Sequence, residues 1–567
     1  MNYKVIAALL ISIYCTATMW GWGGKGHSFQ ADVLFEELPD ELQNFFSTNG
    51  VVSGNQIRKY ASYPDQCAVF NKEQVGAEAL ALLERQGAKN SFYLHSSRIT
   101  GKGPALSFIL LVKAMSDKDR ERASLWTGSL LHAVGDDCAC NHSPLIHYLT
   151  YAFRPQKIIM GKGIGLDFGD MNTPQGREFV AAALKNYTPR VVSEDPNEVL
   201  RKILTGALIN NAFLTEREGR IAATFNRGAS PEIADDGMRA MAELGAESVK
   251  QVADLVVTAW QFAREGKVPE LTQAIMQAAQ KENSEYLQSK PLEKDSIFAG
   301  LLHADSGKPA VGVIIEPTRM FNQGAFSGGS KYILAGIMHT MKNAGVPYFP
   351  LDIRDVEKKG LPAPARTPVL VICAGGFYVS KKVTDDFTAY TKAGGRLLWI
   401  GGKDRNLLGE LSATLKPAPD DMLPVTPKYG NSNLEIVNKL SVQFRAGYRE
   451  LLGEKEHRFV KNPNTPAGWH KPVCVVQIAS DNAQIRMLAQ VSDGNKSINV
   501  AGALLDEKGQ VKYIFLPEYL LAPFLLSDEN TLLNPASPYL DIVGRRVLAA
   551  SLKMLWPDLK NVTVLCR

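Results

Sequence analysis

Past its first residues, the 567-residue chain has no apolar run long enough to form a membrane helix. It has no internal repeat and no low-complexity tract, which excludes a solenoid or a disordered array. An excess of one charge is missing as well: 63 Lys and Arg face 58 Asp and Glu, for a net charge of +5. So small a surplus is an ordinary solvated surface and points neither toward nor away from nucleic acid. Cysteine is scarce, at seven residues, and histidine at nine. What is there, 45% hydrophobic and 21% charged residues, is the composition of a soluble globular protein. The length exceeds one ordinary core, so two or three domains are expected.

The start reads as an export signal. Lys4 precedes an apolar run over 5–14, and small and polar residues follow. The run is too short to span a bilayer, so residues 1–21 are expected to be a cleaved signal peptide and the protein to be secreted or periplasmic. Cys15 would suit a lipid anchor, but bulky Tyr14 stands where a small residue is expected. Three cleavage points compete, one of them leaving Trp20 first. A cut before Trp22 leaves Met19 at a small-residue position, whereas a cut after Ala17 gives a product that begins at Thr18. Cleavage leaves Cys67, Cys138, Cys140, Cys373, Cys474 and Cys566, which an oxidising compartment can pair. Cys67 follows Asp65 by two residues, and Cys138 follows Asp136 by two. If those aspartates meet, Cys67 comes near Cys138 and Cys140, either in one disulfide or as buried thiols.

Residues 22–295 read as an all-helical domain. Apolar residues recur at helical spacing over 106–114, 123–133, 179–186, 197–213 and 240–266, with an irregular connection around 161–175. The character changes near Pro309. Over 307–567, strands at 311–315, 368–373 and 396–400 alternate with helices at 331–343 and 383–393. That alternation implies an α/β domain with a parallel sheet covered on both faces. From about 420 to 520 the pattern is irregular and β-rich, with strands expected at 473–478, 485–491, 498–504 and 511–516. A helix at 540–555 closes the chain.

The chemistry-bearing residues gather in the helical half, where five of the nine histidines (His27, His95, His132, His142 and His147) fall within the first 150 residues. His132 and Asp136 are four apart, which on a helix stacks them one turn apart on one face, within reach of one ion. His142 follows, and upstream stand Asp65 in Tyr63-Pro64-Asp65 and His95 in Tyr93-Leu94-His95. Imidazole with carboxylate suits zinc, a borderline-soft ion.

The run Trp22-Gly23-Gly24-Lys25-Gly26-His27, taken with His132-x-x-x-Asp136-x-x-x-x-x-His142, resembles the superfamily of zinc-dependent phospholipases C and P-one-type single-strand nucleases. The resemblance covers roughly residues 22–290. It implies an all-helical fold, a cluster of three zinc ions, and a mature chain whose first tryptophan binds metal through its amine and carbonyl oxygen. It would place Trp22 and His27 on one zinc and Asp65, His95 and His132 on a second, with Asp136 bridging them and His142 on the third. It also implies phosphodiester hydrolysis by metal-activated water, with Asp65 orienting that water or taking its proton.

The third zinc departs from this pattern. The superfamily supplies it with a further histidine followed four residues later by Asp or Glu, and this chain has no such pair. His147, or Asn210 or Asn211 with Glu216, are the alternatives, so two zinc ions are expected and a third set is incomplete. The substrate is expected to be a phosphodiester, either a phospholipid head group or nucleic acid. Residues 38–42 and 63–65 look more like phospholipase C-type sequences, and His95 is followed by Ser96 rather than by an aromatic that could stack on a base. Both favour phospholipase C-like cleavage over a nuclease. A different class stays open: a non-catalytic, zinc-stabilised surface or binding protein.

Residues 307–420 resemble the flavodoxin-like domain of class I glutamine amidotransferases, and more closely its non-catalytic relatives in bacterial glycosidases. The residues that carry this are 369–373, Ala374-Gly375-Gly376, 383–395 and 396–400. Cys373 stands at a strand end, as a nucleophile would, but no histidine and glutamate follow at the family's spacing. It reads as a buried structural cysteine, and this half as a binding, packing or positioning module.

Overall fold

The structure, a computed structural model, describes residues 22–66, 68–95, 102–143, 146, 167–224, 230–289, 298, 300–302, 307–315, 329–373, 378–379, 381–400, 416–417, 428–429, 441–445, 448–449, 456–458, 476–477, 485–492, 497–516, 520–521, 540 and 542–566. The expected leader, Cys67, Ser96, His147 and the glycines 375–376 lie outside them. The described residues divide into two units, the first ending at Ser289.

The first unit is helical. Its helices are α1 (Gly24–Glu37), α2 (Asp40–Phe46), α3 (Ile57–Tyr60), α4 (Lys72–Val75), α5 (Ala77–Arg85), α6 (Lys102–Ser116), α7 (Arg120–Cys138), α8 (Pro174–Leu184), α9 (Pro196–Ala223), α10 (Pro231–Glu265) and α11 (Gln273–Ser289). Short 3-10 turns at Pro64–Gln66, Ser91–Leu94, Cys140–His142 and Phe168–Met171 join them. Local chemistry sets the starts. Thr173-Pro174, Asp195-Pro196 and Ser230-Pro231 each put a capping oxygen on an early N–H and a proline in the first turn, where its missing donor costs nothing. α10 starts nine residues before its apolar spacing marks, at the Ser230 cap, and α9 runs ten residues past Phe213 to Ala223.

Helix α7 is the centre of this unit. Every residue from Ala123 to Cys138 is buried, which a helix tolerates only when other helices surround it. α3, α6, α9 and α10 pack around it. Its approach to α3 depends on Gly128: a Cβ there would stand 2.7 Å from the Tyr60 carbonyl carbon.

The second unit is an α/β structure. Its strands are β1 (Val311–Ile315), β2 (Tyr348–Asp352), β3 (Val369–Cys373), β4 (Tyr378–Val379), β5 (Arg396–Ile400), β6 (Lys416–Pro417), β7 (Lys428–Tyr429), β8 (Ser441–Phe444), β9 (Glu456–Arg458), β10 (Val476–Gln477), β11 (Ile485–Ser492), β12 (Ser497–Leu505) and β13 (Val511–Leu516). Nine of them form one sheet in the order β2-β1-β3-β5-β13-β12-β11-β8-β9. The first five pair in parallel, and the other four continue the sheet antiparallel. β1 and β3 are buried at every position, on both faces, as central parallel strands must be.

The helices are α12 (Gly329–Ala344), α13 (Ile353–Lys359), α14 (Lys381–Lys392) and α15 (Ile542–Leu555). Val356 of α13 and Phe387 of α14 pack onto Ile314, Leu370, Ile372 and Trp399 on one face of the sheet. β2 and α13 are additions to the sequence reading, and the strand expected at 473–478 is described only at β10. Among the described residues of either unit, no helix is long and apolar enough to cross a membrane.

Gly128→Ala is expected to destabilise the protein by about 1–3 kcal/mol through overpacking. Chemical denaturation reads this as a lower midpoint with an unchanged slope.

Candidate metal centre

α7 carries His132 and Asp136 one turn apart, both buried. Their environment is assembled from three other segments. His27 comes from the first turns of α1, where its N–H bonds Gly23 O at 3.0 Å. Asp65 sits on the 3-10 turn Pro64–Gln66, and His95 caps the 3-10 turn Ser91–Leu94. The start of α1 is fixed by an aromatic wedge, with the Phe168 ring 5.6 Å from that of Trp22 and 5.1 Å from that of Phe29.

The polar atoms converge closely. Asp65 Oδ1 lies 3.0 Å from His95 Nε2 and 3.6 Å from His132 Nε2. The two imidazole Nε2 atoms are 3.0 Å apart. Asp136 turns Oδ2 to this group, 3.4 Å from His132 Nε2 and 3.5 Å from His95 Nε2. Its Oδ1 faces the other way, 3.3 Å from His27 Nε2. Tetrahedral zinc with bonds of about 2.0–2.1 Å holds its ligands roughly 3.3 Å apart, the spacing seen throughout this cluster.

Three features suit these residues to a metal. First, the His132 Nδ1 lies 2.9 Å from the carbonyl of Ala61, the residue that caps α3. A carbonyl only accepts, so Nδ1 carries the proton and a neutral His132 offers the Nε2 lone pair. Gly128 lies one helical turn before His132, and the close approach it permits is what brings Ala61 within reach. Second, His27 Nε2 and Asp136 Oδ1 are buried with no hydrogen-bond partner despite their proximity, a costly arrangement that a shared cation would satisfy. Third, two overlapping triads, His27–His132–Asp136 and Asp65–His95–His132, each keep their ligand atoms within 4.8 Å of one another.

Charge follows the same logic. Burial opposes the ionised form of Asp136, but His132 and His27 hold its carboxyl well below the usual carboxylate range. Burial likewise opposes ionised Asp65, and His132 and His95 outweigh it and hold that carboxyl low. His132 is disfavoured as an imidazolium by burial, yet the two aspartates push it up to about 10. His27 moves down, through burial and then through His132.

The remaining expected ligands are placed differently. Trp22 is buried, with its indole N–H unpartnered and its ring packed as a core aromatic. His142 is buried on the turn after α7 and outside the two triads, but near enough to Asp136 to help hold that carboxyl down. Next to it, Ser143 hydrogen-bonds Glu218, which is buried on α9. Glu218, rather than Glu216, is thus the α9 carboxylate beside this turn, and its spacing from His142 carries no sequence signal. Asn210 bonds Gln251, and Asn211 bonds the Ala207 carbonyl. Cys138 and Cys140 are both buried; their expected partner Cys67 is outside the described residues.

The site opens on one side. The side chain of Asp65 is 29% exposed and that of His95 is 11% exposed, whereas those of His27, His132 and Asp136 are sealed. At that edge Phe92, 47% exposed, stands with its ring 4.7 Å from the His95 ring. The sequence reading looked for an aromatic only after His95. The 3-10 turn supplies one from three residues before it.

No family model matches this chain, and no curated protein matches it. Among solved structures it is similar to the exo-beta-1,4-mannosidase Op5Man5 from Opitutaceae bacterium strain TAV5, at 12% identity and a TM-score of 0.23. The match covers 53% of this chain and 39% of that enzyme, so the chain spans about two fifths of its length. A likeness that loose carries no argument.

Two outcomes are expected. Titration of the metal-free protein with Zn²⁺, followed by metal analysis after desalting, should retain at least two ions per chain in the wild type and lose them in His132→Ala. The second concerns pH. His132 has a raised folded value, so its contribution to metal-free stability is complete below its ordinary value of 6.5 and is lost as pH rises toward about 10. Thermal melts of chelated protein should therefore fall from pH 7 to pH 9, and His132→Gln should flatten that slope.

Proposed function

We propose that the first unit is a zinc-dependent hydrolase of phosphodiesters, phospholipase C-like in its action, exported from the cell. The observation that carries this reading is the split of Asp136. One carboxylate oxygen faces His27, and the other joins His95, His132 and Asp65 in a cage with the ligand spacing of tetrahedral zinc. One bridging carboxylate between two ligand sets is the arrangement of two-metal phosphoester hydrolysis. The resemblance of Trp22–His27 and of His132–Asp136–His142 to the phospholipase C and P-one-type nuclease superfamily supports it independently.

When bound, zinc would acidify a water molecule and offset charge on the phosphoryl and leaving oxygens. The protein's own residues supply the rest. Asp65, at the open edge and ionised at neutral pH, would orient the attacking water and accept its proton. Asp136 holds the two ligand sets at a fixed separation. The Ala61 carbonyl keeps His132 in the tautomer that presents Nε2 inward. Trp22 would complete the His27 side through its main chain if export leaves it as the first residue, and the third ligand set stays incomplete.

Phe92 favours a second reading, a single-strand nuclease of the same superfamily. An exposed ring beside the catalytic edge can stack on an unpaired base.

For the second unit we propose a flavodoxin-like fold of the class I glutamine amidotransferase type, serving as a binding or positioning module. Its parallel strands, counted along the chain, follow the order 2-1-3-4-5, which is the doubly wound order of that fold. Cys373 is buried at the end of β3, in keeping with a structural cysteine.

An assay of the zinc-loaded full chain should show turnover of a phosphatidylcholine analogue that chelator abolishes and Zn²⁺ restores, with less on single-stranded DNA. Asp65→Asn, assayed at Zn²⁺ concentrations high enough to offset its weakened metal binding, should lower kcat by about 10²–10⁴-fold, the range of a lost general base. The reverse substrate preference would favour the nuclease. Bound zinc with no phosphodiester turnover would leave a metal-stabilised binding protein.

A further inference from the structure

Two of the ligands, Asp65 and His95, stand on single 3-10 turns. Such turns do not hold themselves: Gln66 N–H to Tyr63 O closes the first, and His95 N–H to Phe92 O closes the second. Yet the 3.0 Å between Asp65 Oδ1 and His95 Nε2 requires the turns to keep a fixed relation. α7 touches both turns, but among the described residues its His132 and Asp136 side chains make no hydrogen bond to the backbone of either.

One buried residue ties the two turns together. Ser91, fully buried at the start of the His95 turn, makes three hydrogen bonds to the Asp65 side. Its N–H donates to Ala68 O at 2.8 Å, its Oγ accepts from Ala68 N–H at 2.9 Å, and its Oγ–H donates to Pro64 O at 3.4 Å. The hydroxyl is thus both donor and acceptor, and its two partners bracket Asp65, one residue before it and three after.

We infer that Ser91 is a positioning residue for metal binding: it sets the Asp65 carboxylate against His95 and so tunes the affinity of that ligand set while leaving the His27 side untouched. The inference rests on the two-metal reading of the site. It requires nothing of the reaction, because Ser91 touches neither ligand head group. Removal of its hydroxyl takes the partner from the Ala68 amide and the Pro64 carbonyl, and of these bonds leaves the one from Ser91 N–H to Ala68 O, together with the Asp65–His95 contact itself. Partners that hydrogen-bond a ligand directly change metal affinity by about 10- to 100-fold, and Ser91, acting through the turn that carries the ligand, is expected at the lower end of that range.

Co²⁺ titration of the full chain, read by its visible absorption, separates the two ligand sets. In Ser91→Ala the binding step that includes Asp65 and His95 should weaken about 10-fold, with altered bands. The step that includes His27 should stay within twofold of wild type. Ser91→Thr, which retains the hydroxyl, should recover most of the affinity, and Ser91→Cys, close in volume but a weak acceptor, should fall between. The Cys variant keeps the test available should the Ala variant not fold. Unchanged Co²⁺ binding in both would overturn the inference, as would equal weakening of both steps together with a lowered melting temperature. Phosphodiester turnover is not part of this readout. Wild type that binds two Co²⁺ ions without turnover would contradict the proposed activity and leave the role of Ser91 standing.

Discussion

The carboxylate of Asp136 is buried among three imidazoles, and this one placement governs the first unit. A desolvated carboxylate is costly unless it is paired and hydrogen-bonded, and here the pairing is lopsided. Oδ2 has two imidazoles near it, while Oδ1 and His27 Nε2 face each other without a hydrogen bond. Protonating the histidines answers the charge only in part, because burial works against His27 and His132 alike. On the proposed reading, a cation on each side of the carboxylate would balance it. The surrounding structure serves that end. α7 is enclosed along its last four turns, the end of α3 lends a carbonyl to His132, and the Phe168 wedge holds the start of α1 so that His27 points inward.

The cost of this centre is spread over local features that look minor singly. Gly128 has no role except its lack of a Cβ, yet the α3–α7 approach passes through it. Gly103 does the same for His95: a Cβ there would meet the carbonyls of Tyr93, Leu94 and His95 at 2.7–2.8 Å. Interior packing transmits such small displacements, so a site this tight depends on residues that never reach the metal.

Much of this was legible in the sequence. The four-residue step from His132 to Asp136 is a helical signature, and the ligand types drew attention to zinc. The caps before Pro174, Pro196 and Pro231 are local signals too, but the apolar spacing alone placed the helix starts later, at 179, 197 and 240. Other parts were not legible, because they are tertiary. Nothing in the spacing of Ala61 and His132, or of Ser91 and Pro64, announces a contact. Phe92 reaches the site edge only because a 3-10 turn brings residue i−3 beside His95. Glu218 becomes a neighbour of His142 only through the docking of α9. In the second unit β2 was missed because Pro350 interrupts its apolar run; the strand tolerates that proline because it lies at the sheet edge, where one side has no ladder to serve. The antiparallel strands β8 and β9 were missed for a related reason: they are short and lie within an irregular, β-rich tract.

The most direct measurement is an anomalous difference map from crystals of the zinc-loaded protein, collected on both sides of the zinc absorption edge. Two peaks flanking Asp136 are expected, roughly 3.5–4 Å apart, one within bonding distance of Asp65, His95 and His132 and the other of His27. A map with no peak between these residues, or with a single ion elsewhere and Asp136 hydrogen-bonded to the histidines alone, would contradict the account.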